Sequence, residues 1–148
     1  MELVIRSLQS TDSQRLVAMD EQITERRRQA WYEGKLERAL SQSDVQISLG
    51  AEKDGLLVGA VLGSVHYGEF GLPEPVAVLD TILVDREFSR QGIGRAMFEQ
   101  FIKNLQGLRI EKVRTEVSWM ERDLVAFFSK HGFEPLPRLV LEKNISEL

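Results

Sequence analysis

The hydrophobic pattern changes period several times along the chain. Residues 2–6 alternate as a first strand does. Thr11-Asp12-Ser13-Gln14 reads as a capping box, and Leu16, Met19 and Ile23 follow at helical spacing, so a helix is expected to start near Asp12. A second helical stretch is expected from about Thr24 to Leu40, charged on one side by Glu25, Arg26, Arg27 and Arg28. Val45, Ile47, Leu49 and Ala51 then alternate with polar or small residues, the pattern of a strand with one buried face. Asp54-Gly55 is a strong two-residue hairpin signal, with Leu56 to Tyr67 as the return strand. Two glycines and two prolines make Gly68 to Pro75 a loop.

Val76 to Val84 is a nearly continuous apolar run, interrupted by Asp80 and Thr81, which predicts a central strand buried on both faces. Ile93, Met97, Phe98, Phe101, Ile102 and Leu105 fall on one helical stripe that Gly107 closes. Ile110 to Val117 reads as a strand parallel to Val76–Val84. Ser118-Trp119-Met120-Glu121 is a second capping-box pattern, opening a short helix that ends at Gly132. Phe133, Leu136, Leu139, Val140 and Leu141 suggest a final hairpin around Pro135 and Pro137. The expected order is β-α-α-β-β-β-α-β-α-β-β: a mixed α/β fold, one domain over residues 1–148, its central sheet covered by helices.

Composition removes several functions. There is no cysteine, hence no disulfide framework, no thiol nucleophile and no cysteine-based zinc site. Two histidines, His66 and His131, make a histidine metal cluster an unexpected feature. A net charge of −4 argues against a nucleic-acid partner, which selects a basic face. The longest apolar runs, such as Leu56 to Leu62, are too short to span a bilayer. The start Met-Glu-Leu-Val-Ile-Arg is not that of a secretory signal, so a cytoplasmic location is expected.

The chemistry concentrates after the Val76–Val84 run, in Ser89-Arg90-Gln91-Gly92-Ile93-Gly94-Arg95. The first N–H groups of a helix lack intrahelical acceptors and sit at the positive end of its dipole. Glycine there lets a phosphate approach the backbone, and Arg90 and Arg95 add positive charge. A mononucleotide P-loop needs Lys-Ser or Lys-Thr after the second glycine, and this chain has Arg95-Ala96. A dinucleotide fingerprint needs a third glycine where Met97 stands. Taken as bare spacing, the two glycines fit a tight strand-to-helix turn equally well.

Leu79-Asp80-Thr81-Ile82-Leu83-Val84-Asp85, followed by Arg90-Gln91-Gly92-Ile93-Gly94-Arg95-Ala96, resembles the acetyl-CoA site of GNAT N-acetyltransferases. Phe127-Phe128-Ser129-Lys130-His131-Gly132-Phe133 is similar to the last helix of that family and its Gly-Phe ending. The resemblance implies a GNAT-like domain with a mixed, mostly antiparallel sheet, and transfer of an acetyl group from acetyl-CoA (coenzyme A) to a primary amine. It implies that the backbone of Ile82, Leu83 and Val84 holds the pantetheine arm, and that Arg90, Gln91, Gly92, Ile93, Gly94 and Arg95 cradle the pyrophosphate. The thioester is then expected between the Val76–Val84 and Ile110–Val117 strands, with the amine entering near the first two helices and the Gly68–Pro75 loop. A small-molecule acceptor is favoured; a protein N-terminus or lysine, or a non-catalytic acyl-CoA-binding module, are the alternatives. The resemblance also implies a homodimer, and no metal.

Attack on a thioester requires a neutral amine, hence a base. Glu116, at a spacing where some family members carry a basic glutamate, and Asp80, within an apolar run, are the candidates. Tyr32 and Glu33 on the second helix, with Tyr67 before the loop, are expected to line the amine site. Phe128, expected at the cofactor, stands where many members carry a tyrosine that protonates the leaving thiolate, and phenylalanine has no proton to give.

Overall fold

The computed structural model describes residues 2–41 and 47–146. The chain divides into two compact units, residues 1–116 and 117–148. In the first, β1 (Leu3–Ser7) leads through a short 3-10 turn into α1 (Ser13–Thr24) and α2 (Gln29–Ser41). Strands β2 (Leu49–Lys53), β3 (Leu56–His66) and β4 (Val76–Val84) follow, then α3 (Ile93–Gly107) and β5 (Val113–Thr115). The five strands lie in sequence order in one sheet. β1 to β4 pair antiparallel, and β5 joins β4 in parallel.

The local signals explain the elements they sit in. Asp54 and Gly55 both take positive φ, 51° and 79°, and Lys53 pairs with Leu56 across them: the two-residue turn that Asp-Gly favours. α1 starts at Ser13, next to the expected Asp12, but the capping bond belongs to the 3-10 turn before it, where the Gln9 N–H donates to Asp12 Oδ2 at 2.8 Å. Val45, expected in β2, lies outside the described residues.

Helices cover both faces of the sheet. Leu16, Val17 and Met19 of α1 and Tyr32 and Leu36 of α2 share a buried cluster with Leu57, Ala60, Leu62 and Leu83. On the other face α3 lies so close that a Cβ on Gly59 would meet Met97 Cε at 2.9 Å, and one on Gly63 would meet the Phe101 ring at 3.0 Å. These two glycines let α3 approach β3, so the strand buried on both faces is β3 rather than β4.

The second unit contains α4 (Arg122–Lys130). Gly132 takes φ 90° just beyond it, and the Phe133 N–H returns to Phe128 O at 3.0 Å, the left-handed ending that glycine permits. Ser118 makes a turn, its Oγ accepting from the Met120 N–H at 3.2 Å, instead of capping α4. The expected closing hairpin does not form: the described residues from 133 onward contain no strand. Pro135 and Pro137 each remove an N–H that a ladder needs.

Candidate functional site

The decisive local feature is a bulge in β4. Leu62 of β3 pairs with Thr81, but the next rung joins Gly63 to Leu79, so Asp80 is the extra residue. Backbone groups of alternate residues in a strand point to alternate sides. Below the bulge, the Ala77 N–H donates to Lys112 O at 3.0 Å, and Leu79 O accepts from Thr115 Oγ1 at 2.7 Å, so both residues address β5. Above it, the Asp85 N–H donates to Val58 O at 2.9 Å, which sends Leu83 and Thr81 towards β3. The inserted residue has changed the phase, and the N–H and C=O groups of Ile82 and Val84 face the side that β5 has left.

That side is open because the parallel ladder ends at Leu79 and Thr115. β5 is therefore three residues long, not the eight expected for Ile110–Val117. Before it, β4 has not begun; after it, the bulge has turned β4 away. Asp80 and Glu116 are the first residues past the last shared rung on their two strands. A fork thus opens with a carboxylate on each arm.

The upper end of the fork runs into the glycine turn. After Val84, a 3-10 turn over Arg86–Phe88 leads to Arg90, at φ 63°, and Gly92, at φ 78°. The first intrahelical bond of α3 is from the Ala96 N–H to Gly92 O, at 3.0 Å. The N–H groups of Gln91, Gly92, Ile93, Gly94 and Arg95 precede it and have no acceptor within the helix. Nothing lies within 4 Å of the position a Cβ on Gly92 would take, so the turn is open to solvent. Lys53 Nζ, 2.6 Å from Gln91 Oε1, brings a cation from the β2–β3 hairpin to its rim. Arg95 leans the other way, onto Glu99 at 2.9 Å. Unpaired strand, open turn and helix start suit a long ligand with an amide-bearing arm and a phosphate group, as coenzyme A has.

α1 holds the base of this turn. The Arg15 guanidinium donates to Asp85 Oδ2 at 2.7 Å and to Leu57 O at 2.9 Å. Gln22 accepts from the Arg86 N–H at 3.0 Å, and Asp85 Oδ1 accepts from the Glu87 N–H at 2.9 Å. Burial raises the Asp85 pKa, but Arg15, the Glu87 N–H and the Gln22 amide, which donates to Asp85 Oδ1 at 3.3 Å, outweigh it and hold the carboxyl below the usual range.

α2 holds the lower end. Asp80 is exposed; its Oδ1 lies 2.9 Å from Lys35 Nζ and accepts from Thr81 Oγ1 at 2.7 Å. Lys35 also sits 5.0 Å from the Trp31 ring centre, and Arg28 stands 4.5 Å from it. Arg28, expected on the charged side of the second helix, lies just before α2 and clamps Asp20 of α1 through two bonds of 2.6 and 2.9 Å.

The other sequence candidates divide. Tyr32 is only 1% exposed and belongs to the core. Burial and the Asp20 carboxylate push its phenol well above its ordinary pKa. Glu33 is exposed and accepts from Gln29 at 2.9 Å. Tyr67 is 69% exposed at the start of its loop. Glu116 is exposed and has no ion-pair partner among the described residues. In the second unit Phe128 is buried, its ring edge-on to Phe127 and Phe133 at 5.4 and 5.0 Å. Sequence reasoning missed Lys35, Arg15 and Gln22. Their partners lie 42 to 70 residues away, and no local pattern marks them.

A model of the acetyltransferase (GNAT) family matches residues 7–133. No curated protein matches the chain in sequence. Among solved structures, a transcriptional regulator from Bacillus halodurans C-125 superposes with a TM-score of 0.81 at 14% identity, covering 97% of this chain and 100% of its own. The aminoglycoside N-acetyltransferase AAC(6')-Iy, in complex with CoA, gives 0.80 at 17% identity, with 98% and 96% covered. A ribosomal-protein-alanine N-acetyltransferase from Brucella melitensis biovar Abortus 2308 gives 0.76 at 18% identity, with 96% and 100% covered. At these identities the likeness is one of fold.

Proposed function

Because this chain belongs to the GNAT acetyltransferase family, we propose that residues 1–148 act as one domain that transfers an acetyl group from acetyl-CoA directly to a primary amine, with a small-molecule acceptor favoured. The observation that carries this reading is the phase change at Asp80, which turns Ile82 and Val84 to the open arm of the fork directly below the glycine turn. The pantetheine arm adds to β4 as a strand would, and the N–H groups of Gln91 to Arg95 take the pyrophosphate. The neighbour solved with CoA supports the same ligand here.

In this reading the acceptor enters the fork between Asp80 and Glu116. Glu116, without an ion pair among the described residues, takes the proton that leaves the amine nitrogen. The nitrogen lone pair attacks the thioester carbonyl, and the Ile82 N–H donates to the oxygen as charge develops there. Collapse of the tetrahedral species breaks the C–S bond. The thiolate leaves as such or is protonated by water.

The neighbour described as a transcriptional regulator favours one second reading, an acyl-CoA-binding module without turnover. Calorimetry with acetyl-CoA, with ADP as control, tests the shared premise. Micromolar binding lost in Gly92→Glu supports the cofactor site; no binding at millimolar acetyl-CoA overturns both readings. A screen of amines for CoA release then separates an enzyme from a sensor.

A further inference from the structure

One amine of the chain already meets an arm of the fork. Lys35 projects from α2, its side chain 17% exposed, with Nζ 2.9 Å from Asp80 Oδ1. Asp80 is the residue that begins the open arm of β4 and the second candidate base. The Trp31 ring, itself covered by Arg28, flanks the ammonium at 5.0 Å. A primary amine is thus held against the carboxylate at which the proposed acetyl-CoA groove begins.

We infer that Lys35 is an acetyl acceptor within the chain, modified from acetyl-CoA bound to the same copy. The inference rests on the proposed acetyltransferase reading. Asp80 takes a proton from the Lys35 ammonium, and the freed nitrogen lone pair attacks the acetyl carbonyl. An N–C bond forms, the C–S bond breaks, and the second proton of the nitrogen passes through water to the departing CoA thiolate, while Asp80 returns the first to solvent; the products are Nε-acetyl-lysine and CoA. No oxidant or further reactant is needed. Acetylation removes the cation that Asp80 now holds, so an acetylated chain presents a bare carboxylate to the next amine.

The test is to incubate the purified chain with acetyl-CoA and no added amine, then follow intact mass and map the modified peptides. The expected result is one acetyl group on Lys35, gained at least about tenfold faster than on Lys53, Lys103, Lys112, Lys130 or Lys143, as positioning against a base confers. The rate should not depend on protein concentration, should fall in Asp80→Asn, and should vanish in Gly92→Glu. Equal labelling of all lysines, or a rate that rises with protein concentration, overturns the inference. Acetyl-CoA binding by calorimetry separates the two levels: binding with Lys35 unmodified sinks this inference alone, and no binding sinks the proposed function with it.

Discussion

Arg15 and Asp85 are 70 residues apart in sequence and 2.7 Å apart in the fold. The pair joins the first helix to the last turn of backbone before the glycine loop. The Asp85 side chain is only 5% exposed, so loss of Arg15 would leave a buried carboxylate without its counter-ion.

Arg15→Met is expected to destabilise the chain by about 3 kcal/mol and to weaken acetyl-CoA binding. Arg15→Lys should restore part of both, since lysine replaces the charge but not the second bond to Leu57 O. Thermal melts and calorimetry on the two variants measure this.

Acid should unfold the protein sooner than its size alone suggests. Asp12, Asp20 and Asp85 are all held below the ordinary carboxylate value of 3.8: burial raises each, and bonds to Arg6, Arg28 and Arg15 lower each further. Depressed carboxyl values contribute stability that is full above 3.8 and is lost as pH falls through the folded-state values. Melting temperature should therefore drop below about pH 4, with a shallower drop in Arg15→Met.

Gly63→Ala should destabilise by about 1–3 kcal/mol. The added Cβ would meet Val78 O at 2.9 Å, and backbone cannot step aside as a flexible side chain can. The change lies beside the bulge, so it should also weaken acetyl-CoA binding if it alters the phase of β4. A denaturant melt and a binding isotherm on the same sample report the two effects.

Glu116→Gln should lower turnover of whichever amine releases CoA by roughly 10²–10⁴-fold, the usual share of a general base, with acetyl-CoA affinity unchanged. If Asp80→Asn causes the larger loss, the proton goes to Asp80 and the roles of the two carboxylates are exchanged.

Much of the site was legible because its chemistry is local. A glycine turn at a helix start, an Asp-Gly hairpin and a helical stripe are each written within a few consecutive residues, and local backbone physics carries them into the fold. The family resemblance lay in the same short stretches. Tyr32 shows where that legibility stops: spacing placed it on the second helix but not on a face, and packing against Leu16 and Leu62 buried it. The closing hairpin shows the opposite failure, an apolar pattern without a ladder.

The sequence by itself determined the order of strands and helices up to α4, the parallel pairing of β4 with the strand after α3, and the glycine turn, since each rests on neighbours along the chain. The tertiary structure alone decided that Asp80 is a bulge, that Ile82 and Val84 therefore face the open arm, and that Lys35 and Arg15 hold the two ends of that segment. These depend on register between strands and on side chains meeting across 45 to 70 residues, and only the packed sheet with its helices specifies them.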